Sequence, residues 1–224
     1  MKEYNLLELP KTAERDLSVR RDISFFERLK SSEFGYDYFD GGRRLGYGGY
    51  NYDGRWVKVS KRAVELFDLK RGDKVLDVGC GKGFFVHDLV NSEGIDAYGV
   101  DISGYAILKA MPAIVGRLHL QDMRQLLFPD GTFDAVFCIN TLHNLSEVEA
   151  FSAMQEFNRV VKDKSKIFVQ VDSYRSEEDL KVFEDWVLTA KLCMKPEKWL
   201  EFFQKCSFKG AFYWTVLRAD GSVE

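Results

Sequence analysis

The sequence predicts an α/β fold: a mostly parallel, twisted sheet of six or seven strands with helices on both faces, plus an N-terminal helical and loop extension. Three observations carry this. From Asp73 onward, short apolar runs alternate with longer amphipathic ones, the pattern of repeated strand–helix units that build a parallel sheet. The short runs are rich in Val, Ile, Phe and Leu and do not alternate strictly, as expected of strands buried on both faces. The 224 residues are 46% hydrophobic and 14% aromatic, enough for one large, well-filled core.

Taken in order, residues 12–30 have the pattern of an amphipathic helix. Residues 34–56 are crowded with Gly, Tyr and Arg and have no period, so they read as a long loop leading into a helix over 56–68. Strands are predicted at 74–78, 97–100, 118–121, 133–139 and 166–171. Helices are predicted between them at 83–91, 103–111, 146–161 and 177–190. Ser146 and Glu149 have capping-box spacing and mark the start of the third of these. A helix over 196–206 and a last strand over 208–217 follow. The chain therefore divides into a covering segment, 1–72, and a core, 73–224, within one structural domain.

The net charge of -3 argues against a nucleic-acid partner, which usually needs a basic face. There is no apolar run near 18 residues, so no membrane span is expected. The stretch from Met1 to Pro10 is too polar for a signal peptide. Cys80, Cys138, Cys193 and Cys206 form no C-x-x-C pair, which reads as buried free thiols in a reducing cytoplasm. A monomer or homodimer with a small-molecule substrate is expected. The histidines His87, His119 and His143 do not cluster with carboxylates at ligand spacing, so no metal is expected.

The most telling stretch is Val75-Leu76-Asp77-Val78-Gly79-Cys80-Gly81-Lys82-Gly83, a buried strand running into a glycine-rich turn. Ligands of such sheets bind beyond the carboxyl ends of the strands, and glycines there let the backbone approach closely. Asp101 ends the next strand, where a carboxylate can accept from both ribose hydroxyls. Asp122 follows the third strand beside Met123, placed to accept from an adenine amine while the methionine packs on the ring. A dinucleotide site would read G-x-G-x-x-G, but here the third glycine comes one residue early. Asp77 would also oppose a pyrophosphate. It suits a ligand with an amino group and a sulfonium, as in S-adenosylmethionine.

The stretch 75–83 resembles the first motif of the class I S-adenosylmethionine-dependent methyltransferases. Tyr98-Gly99-Val100-Asp101-Ile102-Ser103 is similar to their second motif, Gln121-Asp122-Met123 to their third, and Phe133-Asp134-Ala135-Val136-Phe137-Cys138-Ile139-Asn140 to their fourth. The resemblance implies a Rossmann-like fold with S-adenosylmethionine as cofactor and S-adenosylhomocysteine as product. It implies cofactor contacts from Asp77, Gly79 and Gly81 to the methionine part, Asp101 to the ribose, and Asp122 and Met123 to the adenine, with Cys80, Gly83 and Ile102 also among the cofactor-binding residues. Asn140 would offer its backbone near the methionine amino group. Members of this family usually end in an antiparallel pair of strands. Only 208–217 reads as strand here, so a shortened sheet, or a run split near Gly210, is expected.

For the acceptor side, His143 lies just past the fourth strand and has a near-neutral pKa suited to a general base. Tyr47, Tyr50 and Tyr52 are candidates to wall the pocket and donate hydroxyls. Arg43, Arg44 and Arg55 are candidates to bind an anion, and Asp172 and Tyr174 to line the acceptor site. The Tyr47–Trp56 stretch is also similar to bacterial methyltransferases of surface-polysaccharide biosynthesis, including those acting on capsule phosphoramidates. That resemblance implies a phosphate-bearing acceptor; transfer to oxygen of a small molecule is the leading expectation. A methyltransferase on RNA or protein, or a non-catalytic cofactor-binding partner, is the alternative.

Overall fold

Seven short strands form one sheet in the computed structural model, which describes residues 1–8 and 16–223. They are β1 (Lys2–Glu3), β2 (Lys74–Val78), β3 (Asp96–Asp101), β4 (Leu118–Leu120), β5 (Ala135–Ile139), β6 (Ile167–Ser173) and β7 (Ala211–Val216). Their order is β1-β7-β6-β5-β2-β3-β4, and every pairing is parallel. Strand order reverses at β2, which lies between β5 and β3, so the crevice of the fold opens beyond the carboxyl ends of these strands.

The edge beyond β6 differs from the sequence expectation. There is no antiparallel closing pair among the described residues. The final strand is single, unsplit and parallel to β6, and a seventh strand comes from the opposite end of the chain, β1 pairing with β7. Gly210 does not divide β7. It precedes it, where a Cβ would lie 1.9 Å from the carbonyl oxygen of Ile167, and its own carbonyl accepts from the Lys2 N–H at 3.0 Å.

The helices are α1 (Phe25–Ser32), α2 (Tyr36–Phe39), α3 (Trp56–Phe67), α4 (Phe84–Glu93), α5 (Gly104–Leu108), α6 (Glu147–Val160), α7 (Glu177–Trp186) and α8 (Pro196–Lys205). The side chains of β2, β5 and β6 alternate between two apolar layers. Leu76, Val136 and Val169 face α6 and α8 through Phe157 and Trp199. Val75, Phe137 and Phe168 face α3 and α4 through Phe67 and Phe85.

Three predicted helices are corrected. Of the helix expected over 12–30, residues 12–15 lie outside the described residues. The rest is a 3-10 turn over Leu17–Arg20 and then α1. The break has local causes: Asp22 takes a left-handed φ of 55°, and Ser24 and Glu27 form a reciprocal capping box that starts a new helix. The helix expected to reach residue 111 stops at Leu108, because Pro112 forces Met111 into extended backbone. The helix expected to reach 190 stops at Trp186, since the N–H groups of Lys191 and Leu192 both donate to the carbonyl of His143, at 2.9 and 3.0 Å. All four cysteines are free, three of them buried. No helix among the described residues is long and apolar enough to cross a membrane.

Candidate active site

The turn after β2 is built by three left-handed glycines, Gly79, Gly81 and Gly83, with φ of 77°, 55° and 76°. Gly79 is fixed from both sides. Its N–H donates to Val100 O at 2.8 Å, and a Cβ there would lie 2.3 Å from Thr141 Cγ2. Gly79→Ala therefore combines a strained φ with overpacking. An expected loss of about 2–4 kcal/mol in stability would be read from the denaturant midpoint. An unchanged midpoint would contradict this account. Gly83 serves packing rather than a ligand: a Cβ on it would strike Ile114 and Leu118, and it does not line the cavity.

That cavity has a volume of about 1350 Å³, above the 300–1,000 Å³ typical of a single small-molecule site. It runs from the glycine turn to the aromatic loop. Asp77, 5% exposed, sits on its floor at the end of β2. Burial, and secondarily the Asp101 carboxylate, push the Asp77 carboxyl up to about 8. Among the described residues no cation offsets this. A buried carboxylate of this kind, facing a cavity, is complementary to a ligand ammonium.

Asp101 ends β3. The Gly81 N–H donates to its Oδ2 at 2.7 Å and the Ser103 N–H to its Oδ1 at 2.8 Å. Burial raises the Asp101 carboxyl, and these backbone bonds oppose the rise. The two bonds hold the carboxylate in one orientation at the cavity wall. Ile102, 58% exposed, lies next to it over the same cavity. Asp122 and Met123 line it too. Arg124 holds the Asp122 carboxyl below its usual range through paired bonds of 3.0 and 2.9 Å. Cys80 is buried on the cavity wall, its thiol pushed up by burial. Asn140 is strained, with φ 52°, and its N–H donates to Gln170 O at 2.8 Å. The residues present thus fit S-adenosylmethionine. A buried carboxylate with no cation beside it among the described residues suits an ammonium, a carboxylate held by two backbone N–H groups suits a diol, and Gly79 and Gly81 let a ligand approach the main chain.

Beyond this half lies a second group. Tyr47 and Tyr50 pack ring to ring, centroids 4.5 Å apart, and Tyr50 stacks on Phe84 at 4.7 Å. Burial, and then the Asp77 carboxylate, raise the Tyr50 hydroxyl. His143 is 2% exposed, and burial lowers its pKa against the pull of Asp172. The Asp172 N–H donates to His143 Nδ1 at 3.1 Å, so the ring proton is assigned to Nε2, 3.6 Å from Asp172 Oδ2. The Nδ1 lone pair is thus engaged by a backbone N–H, unlike the free imidazole expected of a base, and the Asp172 carboxylate beside it also lines the cavity.

Of the three arginines, Arg43 and Arg55 reach the cavity. Arg55 pairs with Asp53 at 2.7 Å. Arg44 does not line the cavity. It is a brace that pairs with Glu27 and donates to Val19 O at 3.2 Å and Arg21 O at 3.3 Å. Tyr52 is also turned away. Its hydroxyl donates to Asp88 Oδ1 at 2.7 Å, and that bond pushes it up to about 12. Tyr174 packs outside, with Lys195 Nζ 5.7 Å over its ring. The structure adds residues the sequence reading missed. Tyr38, Trp186 and Thr189 line the cavity as well, and Thr189 Oγ1 donates to Asn144 Oδ1 at 2.8 Å. Arg20 and Arg43 both lie over the Trp186 ring, at 4.5 and 5.1 Å. Nothing in the sequence around Trp186 marks it. Lys82 carried a readable signal, since a lysine inside a buried glycine turn needs a carboxylate partner.

Fold and site together resemble those of the class I, Rossmann-like methyltransferases. Residues 76–169 match the family model of the methyltransferase domain. Among curated relatives, phosphoethanolamine N-methyltransferase 3 of Arabidopsis thaliana is 28% identical over 118 residues, covering 50% of this chain and 24% of the relative. This chain thus spans about a quarter of the length of the plant relatives it matches. Among solved structures, phosphoethanolamine N-methyltransferase 2 of Haemonchus contortus, in complex with phosphomonomethylethanolamine and S-adenosylhomocysteine, is similar with TM-score 0.53 and 18% identity. That match covers 83% of this chain and 44% of that one. The [4+2]-cyclase SpnF is similar to the same degree, with TM-score 0.54 and 22% identity, covering 67% of this chain and 56% of that one. Since that protein is a cyclase, the shared fold does not fix the reaction.

Proposed function

We propose that this chain is a methyltransferase that takes S-adenosylmethionine as methyl donor and transfers the methyl group to a small, phosphate-bearing acceptor, at oxygen. The single observation that carries the reading is Asp77, a buried carboxylate at the cavity floor with its pKa raised to about 8. The cofactor supplies a methyl group on a positively charged sulfur. In this reading Asp77 holds the ammonium, Asp101 the ribose hydroxyls, Asp122 and Met123 the adenine, and the Asn140 backbone borders the amino group. The glycine turn lets the ligand lie against the main chain. The described residues of the covering segment border the site, and Tyr47 and Tyr50, packed ring against ring, help exclude water from it.

The acceptor hydroxyl attacks the methyl carbon in line, forming the carbon–oxygen bond as the carbon–sulfur bond breaks. Asp172 takes the hydroxyl proton, and His143 positions Asp172 through the bond from the Asp172 N–H and the facing Nε2–H. Arg43 and Arg55, on the cavity wall, are the candidates for the acceptor's phosphate. The names of the plant relatives support a phosphate-bearing acceptor. The same names favour a second reading, transfer to the nitrogen of a phosphoethanolamine-like amine. A role in capsule or surface-polysaccharide biosynthesis rests on the resemblance of the Tyr47–Trp56 stretch, and a cytoplasmic setting on the free cysteines.

Two measurements test this. Turnover of S-adenosylmethionine with phosphorylated alcohols and with phosphoethanolamine separates the oxygen from the nitrogen reading, and activity with neither class would overturn the acceptor assignment. Calorimetry with S-adenosylhomocysteine tests the cofactor half. Asp101→Ala removes acceptors for two ribose hydroxyls and is expected to cost about 2–3 kcal/mol of binding. Unchanged affinity would remove Asp101 from the site.

A further inference from the structure

Lys82 occupies a position in the glycine turn whose side chain leaves the cofactor cavity. It is 6% exposed, and its Nζ lies 2.6 and 2.8 Å from the two carboxylate oxygens of Asp40 and 2.8 Å from Tyr50 O. An ammonium has three donors, and all three of these go to the aromatic loop. Asp40, at the end of α2, also accepts from the Tyr105 hydroxyl at 2.6 Å and from the Tyr50 N–H at 3.3 Å. Burial opposes ionisation of Asp40, and the bonds from Lys82 and Tyr105 outweigh it, keeping the carboxyl below its usual range. Tyr50 is therefore held by both its N–H and its carbonyl, one on each partner of the ion pair.

The ring held this way lies over the turn. A Cβ on Gly81 would be 3.3 Å from Tyr50 Cε1 and 3.4 Å from Phe39 Cε1. The loop is tied to the same half of the molecule again where Ser103 Oγ donates to Phe34 O at 2.6 Å. A buried ion pair adds little net stability compared with apolar residues of the same volume, yet removing one partner strands the other. Its value here lies in fixing the register of an aperiodic loop against the turn.

We propose that Lys82 and Asp40 are positioning residues that fasten Tyr50 over Gly81 and so retain the cofactor in the turn, a role that rests on the turn holding S-adenosylmethionine. Cofactor exchange then requires this clamp to open. The test uses the whole chain with S-adenosylhomocysteine as probe. In Lys82→Met the ligand should dissociate about tenfold faster or more, and Lys82→Met/Asp40→Asn should be no faster than Lys82→Met, because coupled residues are not additive. In the free protein, amide exchange should quicken within residues 40–52. A purely structural role would instead quicken exchange throughout the chain. If Lys82→Met does not fold, Asp40→Asn, which keeps the volume, carries the same readouts. Wild-type dissociation and exchange rates in a folded variant would overturn the clamp. Failure of the wild-type chain to bind S-adenosylhomocysteine would overturn the cofactor reading instead.

Discussion

Asp77→Asn should make the ligand-free protein harder to unfold at pH 8 while sharply weakening its hold on S-adenosylhomocysteine. In the fold, burial pushes this carboxyl from its ordinary 3.8 up to about 8. Below about pH 4 both folded and unfolded chains hold the proton, and the group costs nothing. As pH rises from about 4 to about 8, the unfolded chain gives up the proton while the folded chain keeps it, so stability falls. Above about pH 8 the penalty is constant, on the order of a few kcal/mol at roughly 1.4 kcal/mol per unit. Asparagine has no charge to bury, so its gain should appear at pH 8 and vanish near pH 4. Denaturant midpoints at the two pH values measure it, and no gain at pH 8 would sink the account. The same carboxylate must ionise to meet the ligand ammonium. Binding at pH 7 should therefore release a proton, seen as a dependence of the calorimetric heat on the buffer's ionisation enthalpy.

The second large effect is expected at Asp172. If its carboxylate takes the acceptor's proton, Asp172→Asn should lower kcat by about 10²–10⁴. Affinity for S-adenosylhomocysteine should stay close to wild type, because Asp172 stands at the end of β6 and not beside the glycine turn. The backbone N–H that serves His143 Nδ1 is untouched by this change, so the imidazole keeps its place. His143→Gln should cost less and shift the pH profile of kcat, since it alters how the carboxylate is held. Full turnover in Asp172→Asn across the pH range would show that the acceptor loses its proton elsewhere.

What the sequence made legible is what burial makes periodic. Residues 74–78 were readable as β2 to the residue, because a strand covered on both faces shows a short apolar run, here Val75, Leu76 and Val78. The glycine turn, Asp77 and Asp101 were readable because close backbone approach admits few residue types. The aromatic loop was legible as a loop and no further. Arg43 and Arg44 are neighbours of the same chemistry, yet one reaches the cavity and the other braces Glu27. Tyr50 and Tyr52 part in the same way, one over Gly81 and one on Asp88. Without a period, such a segment takes its course from distant partners such as Lys82 and Ser103. The end of α7 is likewise set from outside, by bonds to the His143 carbonyl. A two-residue strand such as β1 has no pattern to detect.

The direction of β7 decides where the last residues arrive. Running parallel to β6, it finishes at the rim that carries Asp77, Asp101 and Asp172. Had it run the other way, residues after Val216 would emerge beneath the sheet. Instead Leu217 and Val223 bridge each other in antiparallel fashion and line the cavity, fastened by the Ala219 N–H donating to Asp179 Oδ1 at 3.1 Å. A strand's orientation thus works as an address, and it delivers this stretch of chain to the working rim as part of the wall.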